Sequence, residues 1–122
     1  MTPERLQELI AAGESLDVDF KGEERAPLSD DDLVEAVVCL ANRSADTPAW
    51  LLIGLDDDGR VTGSRPRHES GRTDPVRLTP LMANRIRPSL TPRIEVVPCQ
   101  GKEVIVVEVP AQFAPVGTTS GR

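Results

Sequence analysis

The stretch on which the fold turns is Trp50–Leu55, WLLIGL. Its apolar run is short and continuous, and turn-forming residues bound it on both sides, SADTP before and DDDG after. A run of this kind predicts a strand covered on both faces, at the centre of a sheet rather than at its rim. Beyond it, Asp58-Gly59 is a strong turn dipeptide, so DDDG and RVTGS predict a hairpin. Before it, Leu33, Val34, Val37, Val38, Leu40 and Ala41 are apolar over more than one helical stripe and predict a deeply placed helix. Ser29 is its N-cap, and Asp30, Asp31 and Asp32 complement the helix dipole in its first turn.

The rest of the chain falls into place around that pair. TPERLQELIAAG predicts a first helix, with Thr2 as cap, Pro3 in the first turn, Leu6, Leu9 and Ile10 as the apolar stripe, and Gly13 beyond its end. LDVDFK alternates with period two, which predicts a strand with Leu16, Val18 and Phe20 inward and Asp17, Asp19 and Lys21 outward. A third helix is expected from Thr73 or Asp74 to about Arg85, marked by Val76, Leu81, Met82 and Ile86. RIEVVP and EVIVVEV are two strands joined near Gln100-Gly101. The order α-β-α-β-β-α-β-β makes this an α+β domain with a mixed or antiparallel sheet and about three helices. Residues 1–110 are expected to form the single domain, and 111–122 an irregular tail, either a linker or a truncated strand.

Composition narrows the function. The net charge is −6 and aromatics make up 2%, which disfavours a module that reads unpaired bases by stacking. The charge is unevenly spread, however. Residues 1–59 hold 15 acidic and 4 basic side chains, a net of −11, whereas residues 60–122 hold 5 and 10, a net of +5. Arginine supplies the excess through Arg65, Arg67, Arg72, Arg77, Arg85 and Arg87 among others, and its planar fork suits phosphate. Cys39 and Cys99 stand in separate apolar runs without a C-x-x-C motif and are expected to be buried free thiols, not zinc ligands. No signal peptide and no membrane-length apolar run is present, so a cytoplasmic protein without membrane contact is expected.

Three motifs bear on chemistry. GLDDDGR has the glycine spacing of a phosphate loop, but it lacks the Lys-Ser/Thr pair and a following helix, and its three aspartates repel phosphate. An ATPase is therefore excluded. His68 is the single histidine, in an arginine-rich loop with no adjacent nucleophile, and is read as a surface residue. The carboxylates of Glu14, of Asp19, and of Asp56 and Asp57 at the end of WLLIGL come from separate segments. If they meet at one sheet end beside Lys21, they form an oxygen-rich cluster that suits Mg²⁺ or Mn²⁺ and hydrolysis of a phosphodiester. A solvated strand face and an ordinary DDDG turn explain the same letters.

GESLDVDFK, VVCLANRSADTPAWLLIGLDDDGRVTG and VIVVEVP, taken in order, resemble the Schlafen-type AlbA domain family. Its pattern is GES-x-x-x-EFK, a helix ending in AN, a strand ending in IGV-D-D-x-G with a hairpin after it, and a late strand ending in VP. The resemblance implies a nucleic-acid-binding domain, DNA being the expected ligand, of the kind found in bacterial transcriptional regulators ahead of a helix-turn-helix region. It also implies, from the RNA-cleaving animal relatives, a carboxylate triad at Glu14, Asp19 and Asp56 with Lys21 beside it. Three departures stand out: Asp19 replaces a glutamate, SADTPA replaces a glycine pair, and the Pro-Tyr segment usual after VP is missing.

The expected function is thus nucleic-acid binding in a bacterial regulator or defence protein. The phosphates would be met by Arg65, Arg67, Arg72, Arg77, Arg85 and Arg87, and no cofactor is required for binding. Two alternatives stand beside it. One is a metal-dependent nuclease built on Glu14, Asp19, Asp56 and Lys21. The other is a protein-interaction or dimerisation module with a degenerate site, since open strand edges leave room for a homodimer.

Overall fold

The computed structural model describes residues 1–68, 73–88, 90–112 and 115–119. Three helices and a mixed sheet form the α+β domain expected from the sequence. The elements run α1 (Pro3–Ala12), β1 (Val18–Lys21), α2 (Asp30–Ser44), β2 (Ala49–Ile53), α3 (Pro75–Asn84), β3 (Ile86–Arg87), β4 (Arg93–Cys99), β5 (Lys102–Val109) and β6 (Gly117–Thr118). The main sheet has the order β1-β2-β5-β4, with β1 parallel to β2 and the other neighbours antiparallel. A second, two-stranded ladder pairs β3 with β6.

WLLIGL holds the centre. On β2, Ala49, Leu51 and Ile53 enter the core under α2 and α3, while Leu52 and the half-buried Trp50 enter the smaller core under α1. On β5, Ile105, Val107 and Val109 face the first core, and Val104 and Val106 face the second. Gly54 ends the strand because the backbone of the next segment closes on it. A Cβ at that position would lie 2.7 Å from Ser64 N and 2.9 Å from Gly63 C, and its φ of 114° is open to glycine. The hairpin expected at Asp58-Gly59 takes the form of a tight turn closed by a single bridge, Leu55 to Val61.

Local signals set the helix ends. Thr2 Oγ1 accepts from Arg5 N, Asp74 caps α3 ahead of Pro75, and Ser29 and Asp32 form a reciprocal capping box on α2. The β4–β5 turn places Gln100 at φ 52° and Gly101 at φ 75°, the geometry of a tight hairpin.

Three expectations about burial need correction. Leu16 is 70% exposed, because the strand begins only at Val18 and Ser15 N donates to Val18 O, closing a turn that pushes Leu16 outward. Val76 is 79% exposed, since α3 buries its Leu78–Met82 stripe instead. Cys39 is exposed, lying on the polar stripe of α2, while Cys99 is buried. Within the tail, residues 115–119 pack onto the body, with Gly117–Thr118 forming the short β6 and Val116 buried in the core under α2 and α3.

Candidate functional site

The edge strand β1 carries the GESLDVDFK residues, and a turn in front of it folds them together. Gly13 leaves α1 with φ 83°, and Ser15 Oγ donates to Asp17 Oδ1 at 2.6 Å. This brings Glu14 against Asp19 and the Phe20 backbone. Desolvation pushes the Glu14 carboxyl up from its ordinary value, and the hydrogen bond and charge of Asp19 push it further. The Phe20 N–H pulls the other way, and Asp57 adds repulsion. Lys21 Nζ lies 3.6 Å from Asp19 Oδ2.

Asp56 is committed elsewhere. Its Oδ1 accepts from Asp58 N at 3.0 Å and Arg60 N at 2.8 Å, and its Oδ2 pairs with Arg60 Nε at 3.2 Å. That is an Asx turn, the ordinary use of Asp in a hairpin. Asp57, its neighbour at the end of WLLIGL, is the aspartate of that turn whose charge reaches Glu14. Among the described residues no group of three or more His, Cys, Asp or Glu is gathered to hold a metal ion. As placed, Glu14, Asp19 and Asp56 do not fit a divalent cation, since two carboxylates meet and the third is spent on its own turn.

Beside this cluster, a groove of about 390 Å³ separates β1 from α2, with Asp19 and Lys21 on one wall and Asp32, Cys39 and Arg43 on the other. Arg43 donates to Leu16 O at 3.1 Å and Ser15 O at 3.3 Å, pinning the GES turn to α2. The signal for that contact lay 27 residues away in sequence, beyond the reach of local patterning.

The arginines divide into three groups. Arg67 is interior: its side chain is 8% exposed, paired with the fully buried Glu23, and it also donates to Leu28 O at 2.6 Å. Arg65 spends its guanidinium on the backbone carbonyls of Glu23 and Glu24. Burial and the Glu23 pair withdraw Arg67 from phosphate, whereas Arg65 is exposed with part of its guanidinium already committed to the two carbonyls. Arg85 pairs with Asp31 at 3.3 Å on a half-exposed surface, where such pairs are weak. Arg77 and Arg87 are exposed and form no ion pair with a described residue, Arg87 donating only to the carbonyl of Ile86. Arg72 lies outside the described residues. His68 has a structural use, its Nδ1 accepting from Asp74 N at 2.7 Å at the start of α3.

Fold and site together define a small α+β domain with a carboxylate pair at its edge strand and exposed arginines on its α3–β3 layer. Residues 14–121 match the family described as Schlafen, AlbA_2, and the chain belongs to that family. Comparison with curated proteins gives no match. Among solved structures, the DIP2311 protein from Corynebacterium diphtheriae is similar with a TM-score of 0.66 and 24% identity, over 98% of this chain and 24% of that one. The N-terminal domain of a Nitrosomonas europaea protein described as related to the ATP-dependent DNA helicase RecG is similar with a TM-score of 0.59 and 21% identity, over 98% of this chain and 81% of that one. This chain thus spans about a quarter of the first relative's length. No helix of the described residues is long and apolar enough to cross a membrane.

Proposed function

We propose that the domain binds nucleic acid through phosphate contacts from the α3–β3 layer, with Arg77 and Arg87 as principal donors and Arg85 joining them by giving up Asp31. The observation that carries this reading is the pair of exposed arginines that form no ion pair with a described residue, in a chain whose other half is strongly acidic. The cluster around Glu14, Asp19 and Asp57 repels phosphate, so the two faces of the molecule have different uses. Family membership and the RecG-related relative both favour nucleic acid as the ligand, and the helicase name favours DNA. On this reading the chain is a DNA-binding domain of a bacterial regulator or defence protein.

Arginine contacts to the backbone are sequence-independent and salt-dependent. The test is fluorescence anisotropy with labelled duplex and single-stranded oligonucleotides across a salt series, using the parent, Arg77→Gln, Arg87→Gln and the double variant. Each lost contact is expected to lower the duplex salt slope by about 0.9. Failure of the parent to bind any of the probes at low salt would overturn the reading, and parental affinity in the double variant would remove this layer from it.

A further inference from the structure

We infer that the segment 115–119 is a strap that sets the position of the arginine-bearing strand β3, and that Asn42 is the positioning residue that holds it. This rests on the reading of Arg87 as a phosphate donor. Asn42 lies in the last turn of α2. Its Nδ2 donates to Val116 O and its Oδ1 accepts from Val116 N, both at 2.9 Å. One side-chain amide thereby makes with Val116 the pair of bonds that a strand residue exchanges with its neighbour in an antiparallel ladder. The Val116 side chain is an apolar anchor, 7% exposed, in the core that also holds Met82 and Ile86.

From that fixed point the chain continues as β6. Gly117 and Thr118 pair with Arg87 and Ile86, and Thr119 N donates to Arg85 O at 2.9 Å. Among the described residues β6 is the sole ladder partner of β3. A ladder of two residues has little stability of its own. The cap of α3 holds Arg85 and the core holds the Ile86 side chain, so what the strap sets is the ladder from Arg85 to Arg87, and the strap owes its register to Asn42 and Val116. The family's AN motif at the end of α2 acquires a physical reason here, one invisible across 74 residues of sequence. Asn42 itself is exposed, and its loss leaves the backbone N–H and C=O of the buried Val116 without their side-chain partner, a loss confined to the strap and its anchor.

The test uses the full chain with Asn42→Ala, read by amide hydrogen exchange and by oligonucleotide binding. Losing two hydrogen bonds should speed exchange at the Thr119 amide about tenfold, with the amides of β5 unchanged. Affinity for a DNA duplex should fall, with a lower salt slope. Asn42→Ala and Arg87→Gln should be non-additive, whereas Asn42→Ala and Arg77→Gln should add. Parental exchange at Thr119 would overturn the strap. Faster exchange with parental affinity and salt slope, in a protein that Arg87→Gln does weaken, would overturn the positioning role. If the parent binds no oligonucleotide, the interface reading falls, and the exchange at Thr119 still decides the strap by itself.

Discussion

Replacing Arg67 with methionine should be among the most damaging single changes in this chain. The Glu23 side chain has no exposed surface, and its carboxylate takes three donors: Arg65 N at 2.9 Å on Oε1, and Leu28 N at 2.6 Å and the Arg67 guanidinium on Oε2. Methionine fills much of the same volume but leaves an ionised carboxylate buried with two backbone donors and no counter-charge. Breaking a buried pair in this way costs about 3–5 kcal/mol. With an unfolding entropy of about 2.1 cal/mol/K per residue over 122 residues, that cost corresponds to a fall in Tm of about 12–20 °C. Circular dichroism melts at pH 7, backed by urea titration, measure it. Adding Glu23→Gln to Arg67→Met removes the stranded charge while keeping one carbonyl acceptor, so the double variant should recover part of the loss. A Tm within about 3 °C of the parent in Arg67→Met would mean that the pair is solvated. Additive single-variant losses would refute the coupling.

Two further outcomes follow from the acidic end. Asp56→Asn keeps the oxygen that caps Asp58 and Arg60 and should shift stability by less than about 0.5 kcal/mol, whereas Asp56→Ala loses both bonds and should cost about 1–2 kcal/mol in urea unfolding. Equal stability in the two variants would remove the Asx turn as the role of Asp56. For Glu14, the folded acid is weaker than the unfolded one. Its contribution to stability is therefore full below 4.5 and is lost as pH rises through the raised folded value. Glu14→Gln carries no such loss, so it should gain on the parent between pH 3 and pH 7. A stability difference between variant and parent that is the same at both pH values would count against the Glu14–Asp19 contact.

What the sequence discloses here is what neighbouring residues decide. Ser29 and Asp32, Pro75, Gln100-Gly101 and the apolar run of WLLIGL each act within a few residues, and each appears in the structure as its local chemistry dictates. Leu16 shows the limit of periodicity: the alternation of LDVDFK continues backward into a turn, and a period-two pattern does not mark where a ladder starts. The arginines show a different limit. Arg67 and Arg77 read alike as charges, and what separates them is Glu23, 44 residues from Arg67, a carboxylate with nothing in KGEERAP to single it out. The division of roles between Asp56 and Asp57 in DDDG is similar. Either Asp56 or Asp57 fits a turn, and only the fold shows which one Glu14 feels.

The sheet also divides the molecule optically. Trp50 is the single tryptophan, and alternation along β2 turns it toward the α1 layer with Phe20 and Leu52, away from α2, α3 and the strap. Intrinsic fluorescence excited at the indole is thus a reporter of one layer. Loosening of the arginine-bearing layer on the opposite face would leave that emission unmoved, and only a probe attached on that side, such as a label on the exposed thiol of Cys39 in α2, would register it.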